Sequence, residues 1–291
     1  VAGCCLLLPI DLVRLAKSAI AQQLMVANIF FWKNTGYFDG NASYMPLLHT
    51  WSLSVEEQFY LIWPMLLLIF RRQVKWAVLV VTLLSFGSSI VFIEHSPIFA
   101  FYSLPTRAFE LGFGALLYLS GRVILPWRFS NWIGMAILVF GSFALNNQTS
   151  FPGVPALLPL IGGGLIITSN NSSRFLEMPL LQKFGDWSYS IYLWHWPILI
   201  LPTLYLQREL KFAEKLVCIA LCVLLAAFTF KFVEDPLRRA KTSGRKIAIS
   251  AIFSGVVLSS VAFIMSANSS SALDLTKVRQ QPKIYVDGCQ L

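Results

Sequence analysis

A histidine and two adjacent glutamates stand together in an otherwise apolar part of this sequence, at His49, Glu56 and Glu57. Imidazole titrates near neutral pH and a carboxylate can orient it, so His49 with Glu56 is a candidate acid/base pair. The structural alternative is a hydrogen bond that ties the loop to the following helix. Glu57 has an alternative of its own, because Ser54 and Glu57 are spaced as a capping box at a helix start.

A second charged pair, Arg107 and Glu110, lies three residues apart in another apolar stretch. An ion pair between helical neighbours is the plain interpretation of this spacing. Removing two charges from water is costly, however, and a neutral pair would pack equally well, so the pair is also a candidate site. Arginine can hold carbonyl, phosphate or carboxylate oxygens through several donors.

His195 is the third candidate, and it lies between two tryptophans inside an apolar run. A lone histidine in such a run is more often a hydrogen-bonded core residue than a catalyst. With Tyr192 and Trp196 it could instead form an amphipathic wall around a tunnel, although aromatic residues in membrane helices commonly serve packing alone. The sequence contains no phosphate-binding glycine loop, no nucleophile elbow and no metal-ligand spacing, which predicts no metal and no permanently bound cofactor.

The elements that must position these residues are apolar helices. Hydrophobic residues make up 56% of the chain, charged residues make up 13%, and the mean hydropathy is +0.66. This composition predicts an all-α, polytopic membrane bundle and excludes a soluble domain. About nine spans and one partial span are expected, from apolar runs near residues 1–10, 15–32, 54–70, 74–93, 103–120, 131–146, 154–169, 188–206, 212–233 and 246–266.

The distribution of Lys and Arg predicts the orientation of these spans. On strict alternation, fourteen basic residues fall on one side and four on the other, so the first side is predicted to be cytoplasmic. Residues 40–49 and the tail after residue 266 then lie outside. This bias also accounts for the net charge of +9, and no basic stripe indicates nucleic-acid binding.

Four segments, in order, resemble the acyltransferase family 3 membrane proteins, which O-acetylate lipopolysaccharide O-antigen, peptidoglycan and other envelope glycans. They are "LLHTWSLSVEEQFYLIWP" (47–64), "FYSLPTRAFELGFGALL" (101–117), "GDWSYSIYLWHWPIL" (185–199) and "FVEDPLRR" (232–239). The resemblance implies a bacterial inner-membrane enzyme that takes an acyl group, expected to be acetyl, from cytoplasmic acyl-CoA. The acceptor would be a hydroxyl of an envelope glycan or lipid-linked glycan on the outer side.

The same resemblance indicates candidate residues for each role. The expected catalytic residues are Glu56, Arg107, Glu110 and His49, and the expected substrate-binding residues are Trp51, Glu57, Tyr60, Tyr192, His195 and Trp196.

One family feature is missing from this sequence. The signature histidine of the family follows a basic residue after ten intervening positions, but Phe38, Leu84 and Phe184 stand eleven residues before the three histidines. The resemblance therefore implies that the first helices are not included and that this chain alone transfers no acyl group. The expected division is a truncated acyltransferase domain (1–240), an additional helix (241–266) and an outer linker towards an SGNH-type domain (267–291).

Two other interpretations stay open at the level of sequence. A transporter or flippase for an envelope precursor would also need polar groups in the membrane, although it should show internal repeats and none is found. An inactive truncated fragment is the other.

Overall fold

The computed structural model describes residues 9–34, 45–121, 129–146, 149–169 and 176–239, and short helical pieces at 253–257, 260–261 and 264. Helices make up all the regular structure in these ranges, which contain no β-strand, so the predicted all-α class is confirmed. The α-helices are α1 (Pro9–Gln23), α2 (Ala27–Asn34), α3 (Trp51–Ile69), α4 (Val74–His95), α5 (Pro97–Tyr102), α6 (Ala108–Leu119), α7 (Ser130–Ala144), α8 (Leu157–Ile167), α9 (Pro179–Leu206), α10 (Phe212–Thr229) and α11 (Asp235–Arg239).

Two of the described helical segments are long and apolar enough to cross a membrane. They are α4 and the segment Phe212–Arg239, in which a π-helical turn at Phe230–Glu234 joins α10 to α11. Only 17% of the most apolar window of each is buried. A core helix of a soluble protein would be mostly buried, whereas an apolar helix with an exposed surface suits contact with lipid. The predicted total of nine spans stays a prediction.

The apolar run 15–32 is interrupted between α1 and α2. Met25 has a φ of 60°, and the amide of Val26 donates to the carbonyl of Ala21 at 2.8 Å, which closes the end of α1. Lys17 and Lys33 line the same groove of about 420 Å³ between these helices. The run 15–32 is therefore not one continuous helix, and its two lysines line one groove where a straight span was predicted.

The run 103–120 is interrupted as well. The chain passes from α5 through a 3-10 turn at Leu104–Thr106 into α6, whose 12 residues reach only about 18 Å. The amide of Phe109 donates to the Ser85 hydroxyl at 2.8 Å, and Ser85 is the twelfth of the 22 residues of α4 (85 − 74 + 1). Because a 3-10 turn precedes α6, and α6 begins half-way along α4, the segment 103–120 is not one continuous helix.

Helix α9 is longer than predicted, with 28 residues where the apolar run 188–206 indicated 19 (206 − 188 + 1). It packs against α10 through Ile198 and the buried Cys222. Two side-chain bonds support this contact, from Trp194 Nε1 to the Thr229 hydroxyl at 2.9 Å and from the Ser190 hydroxyl to Glu234 at 2.7 Å. The α9–α10 pair provides the rigid wall against which the candidate site is built.

Helices α7 and α8 cross at glycines. A Cβ added to Gly134 would lie 2.6 Å from the backbone oxygen of Gly162, and a Cβ on Gly162 would lie 3.0 Å from the oxygen of Gly134. Small residues let membrane helices approach this closely.

We expect Gly134→Ala to lower the stability of the protein by about 1–3 kcal/mol, because the added methyl group meets backbone that cannot rotate away. Gly163→Ala is the matched control, since its added methyl group would have no neighbour within 4 Å. Thermal unfolding in detergent measures both variants. A Gly134→Ala protein that unfolds at the same temperature as Gly163→Ala would contradict this close crossing.

Candidate active site

The candidate site surrounds the start of α3. A 3-10 turn at Leu48–Thr50 leads directly into that helix and buries His49, which is 8% exposed. The His49 ring lies edge-on to Tyr192 and to His195 of α9, with 5.4 Å between ring centroids in each case. The structure therefore brings together three predicted site residues from two segments that are about 140 positions apart.

Side chains of α9 hold this segment in place. The Tyr192 hydroxyl donates to the backbone carbonyl of His49 and lies 2.6 Å from the Ser52 hydroxyl. Because a phenol has one hydrogen, Ser52 is the donor in that second bond. One turn further along, Trp196 Nε1 donates to the carbonyl of Met45 at 2.8 Å. These bonds fix residues 45–52 against the middle of α9.

Neither ring nitrogen of His49 makes a hydrogen bond of ordinary geometry to the described residues. An uncharged imidazole keeps a lone pair on one nitrogen, and since no described residue engages either nitrogen of His49, that lone pair is free to accept a proton.

His195 has a defined tautomer. Its Nδ1 lies 2.6 Å from the backbone carbonyl of Tyr192, and a carbonyl can only accept, so Nδ1 carries the hydrogen. In the neutral ring Nε2 is then the acceptor. The interpretation of His195 as a hydrogen-bonded core residue and its assignment to the site are both consistent with this geometry.

A second cluster, here called the arginine cage, surrounds Arg107, which is 7% exposed. Its Nη1 pairs with Glu110 at 2.8 Å, which confirms the predicted ion pair, and its Nε donates to the carbonyl of Phe101 at 3.1 Å. The rings of Trp51, Phe101 and Phe151 lie 5.0, 4.9 and 4.8 Å from the guanidinium carbon. Nη2 and the second hydrogen of Nη1 form no hydrogen bond to a described residue.

Trp51 connects the cage to the histidines. It is the first residue of α3, it contacts Arg107 on one side, and its ring packs on Phe101 and Tyr102 at 4.8 and 5.3 Å. His49 precedes it by two positions. Both clusters therefore flank the same helical turn.

The two clusters lie half-way along the long helices. Tyr192 is the fourteenth of the 28 residues of α9 (192 − 179 + 1), and the start of α6 meets the middle of α4. His49 lies two positions before α3 and Arg107 directly precedes α6, so each residue stands at the start of its own helix. Their predicted place at the outer edge of the membrane stays a prediction.

Comparison with known proteins shows the family of this chain. The profile of one protein family, described as an acyltransferase domain, matches residues 3–233. The chain belongs to the acyltransferase 3 family. The matched range includes both clusters.

The acyltransferase 3 chain is also similar to curated proteins. It is 29% identical to the peptidoglycan O-acetyltransferase OatA of Listeria monocytogenes, over 79% of this chain and 42% of the relative. It is 28% identical to the O-acetyltransferase OatA of Staphylococcus aureus, over 74% of this chain and 41% of the relative. The chain thus spans about two fifths of the length of these relatives. No solved structure gives a significant match.

Three predicted residues of the acyltransferase 3 chain lie outside the two clusters. Glu56 is exposed and does not pair with His49, whose ring nitrogens have no bond to it. Glu57 lies 3.4 Å from Gln22 Nε2. Tyr60 is 63% exposed, and the ring contact described for it is with Phe59. The proposed roles of these three residues stay predictions.

The predicted capping box is wrong. Helix α3 begins at Trp51, so Ser54 lies within its first turn and cannot cap it. The Ser54 hydroxyl instead accepts from the amide of Ala27 at 3.2 Å and donates to Gln22 at 3.2 Å. Ser54 therefore joins α3 to the α1–α2 turn.

Sequence reasoning missed three residues of the acyltransferase 3 site. Ser52 and Phe101 lie within the quoted family segments, so their position next to His49 and Arg107 was a usable signal. Phe151 lies 44 positions after Arg107 (151 − 107), on the connection between α7 and α8, and no local pattern predicted its place in the cage.

Proposed function

We propose that this chain forms the membrane part of an O-acyltransferase that moves an acetyl group from acyl-CoA to a hydroxyl of a cell-envelope glycan. Membership of the acyltransferase 3 family supports the reaction class. The name of the Listeria relative favours peptidoglycan as the acceptor over lipopolysaccharide. The observation that carries the proposal is the buried His49, whose ring nitrogens bond to no described residue and which lies two positions before Trp51 of the arginine cage.

The resemblance implied a general base outside this chain; in the proposed reaction His49 takes that role, because its ring nitrogens are free. It accepts the proton of the glycan hydroxyl while the hydroxyl oxygen attacks the thioester carbonyl carbon. A C–O bond forms, the C–S bond breaks, and the proton passes to the departing CoA thiolate. Arg107 polarises the carbonyl through Nη2, and Glu110 keeps the guanidinium oriented.

The position of the site supports a donor and an acceptor that arrive from opposite sides. The site lies beside the middle residues of α9 and of α4, so in this scheme it is reached from either end of these helices. We propose a multi-pass inner-membrane protein of about nine spans, with acyl-CoA entering from the cytoplasm and the glycan from outside. Acetyl-CoA is a co-substrate in this scheme and not a resident cofactor.

We expect cysteines placed at residue 40 and in the tail after residue 266 to be labelled from outside the cell, and cysteines at residues 72 and 241 to be labelled only after permeabilisation. The reason is the preference of Lys and Arg for cytoplasmic loops. A membrane-impermeant maleimide, applied to a variant that lacks the native cysteines, makes the measurement. Labelling of residues 40 and 72 from the same side would contradict the orientation.

The proposed function is tested with membrane vesicles that contain the protein and acetyl-CoA radiolabelled in the acetyl group. We expect label to appear in base-labile esters of peptidoglycan fragments and to be absent from vesicles without the protein. Label in lipopolysaccharide alone would disprove the acceptor. Transfer from another acyl donor alone would disprove the donor. Movement of an unmodified glycan precursor across the vesicle membrane, with no ester formed, would favour a transporter.

A further inference from the structure

The groove between α1 and α2 lies away from both clusters of the candidate site. It has a volume of about 420 Å³, within the range of roughly 300–1,000 Å³ that is usual for small-molecule sites. Its apolar lining includes Ile20, Leu24 and Ile29, and Lys17 and Lys33 line it too. Leu24 and Ile29 are 65% and 41% exposed, so the groove opens outward.

The opposite faces of α1 and α2 are anchored to α3, which gives the groove a fixed shape. Ser54 bonds to the amide of Ala27 and to Gln22, as described above. Gln58 donates to the Asn28 side chain at 2.8 Å and to the carbonyl of Met25 at 2.7 Å. The groove is therefore formed before any ligand binds.

Its two lysines need an anion. Both are exposed, and in the part of the chain that the structure describes neither forms an ion pair with a carboxylate. An ammonium group beside an apolar surface in a bilayer is costly unless it reaches a counter-ion. A free phosphate would satisfy the charge but not the apolar lining, and a zwitterionic lipid would add no net negative charge.

We propose that this groove binds an anionic phospholipid of the surrounding bilayer. Its phosphate lies between Lys17 and Lys33, and an acyl chain covers Ile20, Leu24 and Ile29. Basic pockets between membrane helices bind such headgroups in this way. The bound lipid would stabilise the α1–α2 turn. Because Gln22 accepts from Ser54, it would also stabilise the first turn of α3.

Native mass spectrometry of the purified, delipidated protein tests the proposal. Phosphatidylglycerol or phosphatidylcholine is added back at equal concentration. We expect at least about tenfold more retained phosphatidylglycerol than phosphatidylcholine, and we expect Lys17→Gln/Lys33→Gln to abolish that preference. Arg71→Gln/Lys75→Gln is the matched control, because it removes two exposed charges elsewhere and should leave the preference intact.

A second variant separates the groove from charge alone. Ile29→Trp should fill the apolar part and reduce phosphatidylglycerol retention while both lysines remain. Equal retention of the two lipids would overturn the proposal. So would retention that Lys17→Gln/Lys33→Gln and Ile29→Trp leave unchanged, or a groove that takes no lipid because another part of the protein covers it.

Discussion

Replacing His49 with glutamine should lower the rate of glycan O-acetylation by about 10²- to 10⁴-fold, the usual contribution of a general base. The substitution should cost little stability, because neither ring nitrogen of His49 bonds to a described residue. The amount of protein in the membrane should therefore stay normal. Initial rates of radiolabel transfer in vesicles, divided by the amount of inserted protein, give the comparison.

Two other histidines serve as references for that measurement. His95→Gln, at the exposed end of α4, should transfer at the native rate. His195→Gln should lower the transfer rate less than His49→Gln does. His195 contacts the His49 ring, and its Nδ1 is already bonded to the Tyr192 carbonyl. A His49→Gln protein with full activity would remove His49 as the base, and the base would then be sought elsewhere.

Replacing Arg107 with alanine should reduce transfer at least about tenfold, the scale of a lost transition-state contact of about 1.4 kcal/mol. It should also destabilise the protein by about 1–3 kcal/mol, because the partly buried Glu110 would lose its partner. Thermal unfolding in detergent and vesicle assays measure the two effects separately. Glu110→Ala should act in the same direction.

The double variant Arg107→Met/Glu110→Gln separates structure from chemistry. Removing both charges eliminates the unpaired carboxylate, so stability should recover towards the native value. Transfer should stay low, because the Nη2 donor is gone. Arg208→Met/Glu214→Gln, which removes an exposed ion pair, is the control and should change neither property. A double variant that transfers at the native rate would make the buried pair purely structural.

Uninterrupted apolar runs predicted the helices well. The main error was that breaks within the runs 15–32 and 103–120 were not predicted. The runs 74–93 and 131–146 agree with α4 and α7 to within two residues. Leu24, Met25 and Val26 form a turn without glycine or proline, so nothing in the local pattern marked the end of α1. At 103–107 a proline was present, but continuous hydrophobicity on both sides hid the break.

In the site, too, contacts between residues close in sequence were predicted and contacts between distant residues were not. The ion pair of Arg107 with Glu110 follows from a spacing of three residues, and it was predicted. The bond from Tyr192 to the carbonyl of His49 joins positions 143 apart, and the ring of Phe151 reaches the cage from a separate connection. Such contacts depend on how the helices pack, and composition and periodicity carry no information about that.

The backbone from His49 to Ser52 couples the positions of the two clusters. His49, Trp51 and Ser52 belong to one continuous piece of helical backbone, which is tied to α9 through Tyr192 and to the cage through the Trp51 ring. Because this backbone is continuous, a rotation that shifts the His49 imidazole also shifts the Trp51 indole that packs on the guanidinium. The two halves of the centre cannot be adjusted independently, and the energetic effects of substitutions in them will be non-additive.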